Sequence, residues 1–233
     1  DLKVHVIDLG AVPHRMIYDK EILAVQAGKP VEFVFTNTDQ MPHNFAVVSP
    51  GYLEEVGLLA EQTSRDKDAV GRHYIPSTDK VLVAGRLLQA GQRQAISYTA
   101  PDEEGIYPYV CTFPGHWRRM YGALYVVRDL KTFSEDPEQY VAKHSLKILD
   151  PLLNELGRSR EWKFKDLASR IEQLHGGRSF EVGKQLFTVS TCAACHKVDG
   201  KGSTIGPDLA QLDTKIQPLD ILKSVLLPSD KIE

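Results

Sequence analysis

Apolar and β-branched residues recur in short runs over the first 128 residues, at 2–9, 16–25, 30–36, 43–48, 81–88, 92–98, 106–112 and 120–128. Turn-forming residues separate most of them: Gly10, Ala27 to Pro30, Asn37 to Asp39, Ala90-Gly91 and Pro101 to Gly105. Strict alternation in Val31-Glu32-Phe33-Val34-Phe35 predicts a half-buried strand, and runs at this density predict a sandwich or barrel. One wide gap, 49–80, carries Leu53, Val56 and Leu59/Ala60 at helical spacing, which predicts a short helix on the flank of the sheets. Pro108 cannot donate to a ladder, so its run is expected at an edge or a bulge.

After Arg128 the period changes. Asp136-Pro137 and Asp150-Pro151 each read as an N-cap followed by Pro at the first helical position, with the second helix stopping at Gly157. Leu167, Ile171 and Leu174 mark one face of a helix that ends at Gly176-Gly177. Ser179 is placed to cap another, with Gly183 and Phe187 one turn apart. A last helix is expected from Pro218 to Leu227, ending at Pro228. The predicted fold is multidomain: an all-β domain over 1–128, a helical connector over 129–177 and a small all-α domain over 178–233.

Composition narrows the function classes. The 233 residues carry 28 Lys+Arg against 31 Asp+Glu, a formal net charge of -3. No strongly basic surface for nucleic acid is implied. No apolar run approaches the roughly 18 residues of a membrane span. Asp1 opens the chain without Met or a leader, which reads as a processed, trimmed or excised chain. Three cysteines are too few for a disulfide scaffold.

The positions of those cysteines matter more than their number. Cys111, His116 and Met120 are spaced Cys-X4-His-X3-Met across a strand end, a loop and the next strand, so one loop returns three side chains to a point. His43 lies near the start of another predicted strand, which a sandwich brings alongside. Taken singly, Cys111 reads as a buried strand thiol and Met120 as core filler. Together, a thiolate, two imidazoles and a weak thioether form the ligand set of a blue-copper site, although a mixed sulfur and nitrogen site also accepts zinc.

This segment resembles the cupredoxins, most closely the azurin-like group. Cys111-Thr112-Phe113-Pro114-Gly115-His116 followed by Met120 is similar to that group's ligand loop, and Met41-Pro42-His43-Asn44-Phe45 to its upstream ligand segment. The resemblance spans about residues 1–128 and implies a Greek-key sandwich holding type 1 copper, cycling between Cu(I) and Cu(II). It also implies that Asn44 ties the two ligand loops and shields the sulfur. By the same resemblance Pro114, without an N–H, limits hydrogen bonds near the thiolate. Pro42 departs from many members. His116 is expected at the exposed edge of the site, with Trp117, Arg118 and Arg119 as an apolar and basic docking rim or a solvated surface. Multicopper oxidases flank their cysteine with histidines, whereas Val110 and Thr112 stand here. His5, His14 and His73 show no ligand spacing for a second copper.

Cys192-Ala193-Ala194-Cys195-His196 has the spacing of c-type haem attachment, with both thiols bonded to haem and His196 as the axial iron ligand. A thioredoxin-like pair would need a βαβ setting, and a zinc site another ligand pair; neither is present in the sequence. Gly206-Pro207-Asp208-Leu209 downstream resembles cytochrome c, which implies that the Pro207 carbonyl bonds the axial imidazole. More specifically, 178–233 looks like a planctomycete-type haem-binding domain, a module of large dehydrogenase-like proteins. Met16, Met41 and Met120 are the chain's three methionines and all precede this domain. The expected distal Met is therefore missing: the chain is a fragment or its sixth ligand is unusual, with His144 and His175 as candidates.

The expected function is electron transfer through type 1 copper and haem c, as a relay segment of a larger redox protein rather than an enzyme by itself. The alternative is the electron-entry or exit portion of a multidomain dehydrogenase or reductase whose catalytic domain lies elsewhere. Partners are expected to be redox proteins or domains. Because haem is attached covalently outside the cytoplasm, export to the bacterial periplasm or the outer face of the membrane is expected. A third reading is a copper-binding or sensing module without electron traffic.

Overall fold

The computed structural model describes residues 4–148, 162–173, 176, 179–190, 192–203 and 205–227. The chain divides into two compact units, Asp1–Asp150 and Pro151–Glu233. In the first, β1 (His5–Gly10), β3 (Pro30–Thr36) and β6 (Arg93–Thr99) form a three-stranded sheet in the order β1-β3-β6. The second sheet holds β2 (Ile22–Gln26), β8 (Tyr121–Val127), β7 (Gly105–Val110), β4 (Ala46–Val48) and β5 (Val81–Ala84), in that spatial order. Parallel pairing of β1 with β3 and of β2 with β8 leads the chain back and forth between the sheets.

One buried cluster joins them. Ile7, Leu9, Val31, Phe33 and Phe35 of the first sheet meet Leu23, Val25, Tyr109 and Leu124 of the second and Phe45 just before β4, with Phe33 and Phe45 ring centroids 5.0 Å apart. The period-2 alternation read in 31–35 sends these side chains inward. Each large aliphatic or aromatic group so buried contributes about 1.5–3 kcal/mol.

Two expectations are corrected. The run 16–25 is not one strand: Val12 N–H donates to Ile17 O (2.8 Å) and Ala11 bridges Tyr18, closing a tight turn before β2 begins at Ile22. His14 and Met16, both at positive φ, make that turn. Pro108 lies inside the sheet, not at its edge, because β7 sits between β8 and β4. It is tolerated because pairing with β4 covers only Val110 and Tyr109 and stops short of Pro108.

The segment expected as a connector begins with two helices. After β8 come α2 (Leu130–Glu135) and α3 (Pro137–Lys143), the latter capped by Asp136, whose carboxylate accepts from Gln139 N–H. Phe133 packs on Ala123, Tyr125 and Val127, with Tyr140 against the same cluster. Strand β8 is thus buried on both faces, and the start of the expected connector belongs to the first compact unit. Between β4 and β5 in the chain, α1 (Leu53–Thr63) buries Leu53, Val56, Gly57 and Ala60, the face predicted from spacing.

In the second unit the described elements are α4 (Phe164–Ala168), α5 (Phe180–Val189), the one-turn α6 (Cys192–Cys195), a hairpin of β9 (Lys197–Val198) and β10 (Lys201–Gly202), and α7 (Pro218–Leu226). Ser179 caps α5 by accepting from Val182 N–H. The predicted Asp150-Pro151 cap, Gly157, Leu174, Gly177 and Pro228 lie outside the described residues. Among the described residues, no helix is long and apolar enough to cross a membrane.

Candidate metal centres

Cys111 follows the end of β7 and Met120 precedes β8, and they are held in register by a hydrogen bond from Cys111 N–H to Met120 O at 2.9 Å. The loop between them folds back on itself, His116 O accepting from Met120 N–H at 2.8 Å and His116 N–H donating to Phe113 O at 3.0 Å. His43 comes from the segment leading into β4, anchored by a two-way backbone pair with Leu88. Three donors converge: His43 Nδ1 lies 3.1 Å from His116 Nδ1, and Cys111 Sγ lies 3.8 and 3.6 Å from those two nitrogens. These three side chains are the metal-ligating group found among the described residues. Met120 is fully buried in the same core cluster as Cys111 and Phe113.

Burial sets the electrostatics. It pushes the Cys111 thiol up to about 12, against hydrogen bonds that favour the thiolate. It pushes His116 down to about 3, with His43 adding to the effect. His43 is also lowered by burial, partly offset by its hydrogen bond to Asp39. Burial would raise the Asp39 carboxyl, but hydrogen bonds from the His43 ring and from the His14 and Gln40 amides outweigh it and hold it low. Two neutral, buried imidazoles therefore turn their Nδ1 atoms toward one thiol. A cation that displaces the thiol proton satisfies all three, and a soft sulfur with two imidazoles suits copper in both oxidation states.

The loops around the donors are tied together. Asn44 Oδ1 accepts from Thr112 N–H at 2.8 Å, while Asn44 Nδ2 donates to Thr112 Oγ1 (2.9 Å) and His73 O (2.8 Å). Tyr18 OH donates to Asn44 O at 2.7 Å. Pro114 is buried within the same loop.

The docking rim is corrected. His116 is only 2% exposed, with Phe113 against its ring at 4.9 Å and Tyr74 edge-on to Phe113. Trp117 is 1% exposed and lies on α1, where only a glycine leaves room: a Cβ on Gly57 would sit 2.2 Å from the indole. Trp117 Nε1 donates to Glu61 Oε1 at 2.8 Å, and Arg118 lies over the indole at 4.1 Å while also bonding Glu61. Arg118 and Arg119 are half-buried. Sequence spacing alone carried no sign of this, because Gly57 and Glu61 lie far upstream. The same holds for Asp39, whose Oδ2 lies 3.0 Å from His43 Nε2.

In the second unit α6 presents Cys192 and Cys195, both half-buried and both raised by burial. His196 continues the turn, its N–H donating to Cys192 O at 2.8 Å. Its Nδ1 lies 3.0 Å from Pro207 O, an acceptor only, so Nδ1 donates and Nε2 keeps the lone pair. Gly206 makes this approach feasible: a Cβ there would stand 2.8 Å from the imidazole, and its N–H donates to Cys195 O at 2.7 Å. Two thiols and a tautomer-fixed imidazole on one turn fit covalent haem. His144 belongs to the first unit, where its ring stacks on Tyr140 at 4.6 Å; His175 lies outside the described residues. His5, His14 and His73 are exposed.

Comparison with known proteins agrees with both geometries. Residues 6–127 match the copper-binding proteins of the plastocyanin/azurin family, and residues 180–224 match cytochrome c. Auracyanin-A of Chloroflexus aurantiacus is 31% identical over 122 residues, covering 52% of this chain and 73% of that protein. Auracyanin-B of the same bacterium is 25% identical over 113 residues, covering 48% of this chain and 47% of that protein. The solved structure of auracyanin A, titled a "blue" copper protein, covers 53% of this chain and 99% of its own, at 26% identity and a TM-score of 0.48. Copper and covalent haem c are the cofactors of these domains, and electron transfer is the activity they support. With the family match spanning over half its length and centred on the buried His43, Cys111 and His116, the chain belongs to the plastocyanin/azurin family of copper-binding proteins and carries a cytochrome c domain behind it.

Proposed function

We propose that this chain relays single electrons between a type 1 copper centre and a c-type haem, as one segment of a larger redox protein. The observation that carries the reading is the meeting of two imidazole Nδ1 atoms and one thiol inside a closed core. His43, Cys111, His116 and Met120 would hold copper, with Asn44 and Pro114 fixing the loops around the sulfur. Cys192 and Cys195 would bond the haem and His196 its iron, with Pro207 orienting the imidazole. When bound, each group supplies a reversible one-electron couple. The protein's part is to hold the donors in a geometry that changes little between oxidation states and to exclude water from the sulfur.

Residues 1–128 are assigned to the copper domain, with α2 and α3 as its buttress, and 178–233 to the haem domain. Covalent attachment of haem outside the cytoplasm supports an exported protein, in the periplasm or on the outer face of the membrane, serving redox partner proteins or domains. Visible spectra of the oxidised and reduced chain with metal analysis test the cofactors. Stopped-flow reduction of the haem, followed at the thiolate-to-copper band, tests the relay. Bleaching of that band in step with haem reoxidation is expected; two centres that never exchange electrons overturn it. Substrate turnover by the chain alone would favour a catalytic segment of a dehydrogenase or reductase instead.

A further inference from the structure

The two imidazoles of the copper site are not held alike. His43 Nε2 faces Asp39 Oδ2 at 3.0 Å, and both side chains are shut off from solvent. His116 Nε2 is equally buried but has no hydrogen-bond partner among the described residues. A carboxylate at this depth is costly unless its lone pairs are filled, and those of Asp39 are. Oδ1 accepts from the backbone N–H groups of His14 (3.0 Å) and Gln40 (2.7 Å), while Oδ2 is turned to the imidazole.

The aspartate is itself framed. Its N–H donates to Asn37 Oδ1 at 3.0 Å, and Asn37 Nδ2 donates to Met41 O (2.8 Å) and Leu88 O (2.9 Å). Leu88 and His43 exchange two backbone bonds, of 3.1 and 2.8 Å. A closed circuit of hydrogen bonds thus runs through Asn37, Asp39, His43 and Leu88. A carboxylate only accepts, so the ring nitrogen facing it must carry the hydrogen. In the neutral ring the lone pair then sits on Nδ1, the atom turned toward Cys111 and His116.

We propose that Asp39 is a positioning residue of the copper centre, whose buried carboxylate selects the Nε2–H tautomer of His43 and so presents Nδ1 as a ligand before any metal arrives. The proposal rests on the copper reading of this site and adds a residue outside the donor set. His43 is the prearranged imidazole, and His116, with nothing on its far nitrogen, is the one whose tautomer is free to follow the metal. A carboxylate behind a ligating histidine also raises that ligand's basicity.

Asp39→Asn is the informative variant. Two backbone N–H groups converge on Oδ1, so an amide here keeps its oxygen there and turns its NH2 toward His43 Nε2. That nitrogen must then accept, the hydrogen moves to Nδ1, and the ligand atom is blocked. Long-range 15N–1H spectra of the metal-free full chain read this directly. Wild-type His43 is expected to show a protonated Nε2, and Asp39→Asn a protonated Nδ1, with His116, whose Nδ1 lies 3.1 Å from that of His43, taking the complementary tautomer in each. Copper titrated against a competing chelator should bind roughly 10–100-fold more weakly to the variant. An Nδ1–H tautomer in the wild type overturns the proposal without any variant, and so does an unchanged tautomer with unchanged affinity in Asp39→Asn. Should wild-type His43 carry Nε2–H while the protein takes up no copper, the copper reading fails and the tautomer assignment stands.

Discussion

The two units hold the side chains proposed to bind their cofactors in opposite settings. In the first, His43, Cys111, His116 and Met120 are sealed inside a finished core, backed by Tyr18, Phe45 and Tyr109. In the second, Cys192, Cys195 and His196 are half-buried, and large apolar residues of the same unit face outward: Phe180 is 75% exposed and Val225 70%, with Leu186 and Ile221 also exposed. A cavity of about 740 Å³ opens between α5 and the β9–β10 hairpin, lined by Phe180, Gly183, Phe187, Ala193 and Val198. The sandwich is a fold to which copper is added. The second unit, with short helices and apolar side chains turned outward among its described residues, is expected to take haem as part of its core, as small domains need a staple.

The contrast breaks most visibly when each cofactor is withheld. Replacing Cys192 and Cys195 by Ala should unfold the second unit outright, so that its amides exchange without protection. Stripping copper from the first unit should leave its strands protected. Protected amides in α5 and α7 of the haem-free variant would show that this unit closes without its cofactor. Cys111→Ser tests the other side: the intense thiolate-to-copper band should vanish while the circular dichroism of the sandwich stays as it was. A blue colour surviving in Cys111→Ser would remove Cys111 from the metal.

The sealed site should also make the metal-free first unit sensitive to pH on both sides. His116 is held down to about 3 from an ordinary 6.5. Between those values the unfolded chain takes up a proton that the folded one refuses. The associated stability is complete above pH 6.5 and is lost as pH falls toward 3. Cys111 runs the other way, from an ordinary 9.0 up to about 12. Its contribution is complete below pH 9 and is lost as pH rises toward 12. Each displacement is worth several kcal/mol. Urea titrations of the metal-free protein should therefore show a plateau between pH 6.5 and 9 with falling limbs. A His116→Gln variant should lose much of the acid limb, and an unchanged acid limb there would mean that other groups set it.

The parts legible in the sequence are those whose determinants lie close together along the chain. Cys-X4-His-X3-Met is readable because one loop between adjacent strands must bring the three side chains back to a point. The cap at Asp136 and the face of α1 follow from spacings of three and four residues. What escaped depends on encounters between distant segments. Trp117 looked like a surface residue until Gly57, far upstream, left space for it, and His116 looked like an exposed edge until Phe113 and Tyr74 covered it. Asp39 carries no motif, and its meaning comes from facing His43 across a turn. Pro108 is acceptable in mid-sheet only because the β4–β7 ladder ends at Tyr109, which no local pattern records.

Gly57 gives a smaller test of how rigid the sealed unit is. Alanine improves helix propensity by about 1 kcal/mol over glycine. Its methyl, however, would stand 2.2 Å from the Trp117 ring, and forced overpacking costs about 1–3 kcal/mol. Gly57→Ala should therefore lower the melting temperature of the first unit modestly and shift Trp117 fluorescence as the indole moves from Glu61. An unchanged melting temperature and spectrum would mean that the clash is absorbed by a shift of α1.

The smallest expected effect concerns Met120. Its side chain is fully buried among Cys111 and Phe113, and its backbone is pinned by Cys111 N–H on one side and His116 O on the other. Leucine nearly conserves its volume, and such swaps cost less than about 1.5 kcal/mol, so the sandwich should remain intact and the three stronger donors unmoved. If Met120 is the weak fourth donor proposed above, what changes is its thioether, which donates more to the oxidised ion than to the reduced one. Losing it while making the pocket more apolar disfavours Cu(II), so the potential of Met120→Leu should rise with the blue band retained. Protein-film voltammetry of the two forms decides it. A potential that stays put or falls would mean that the Met120 sulfur is core packing and contributes nothing to the metal, leaving a three-donor site of His43, Cys111 and His116.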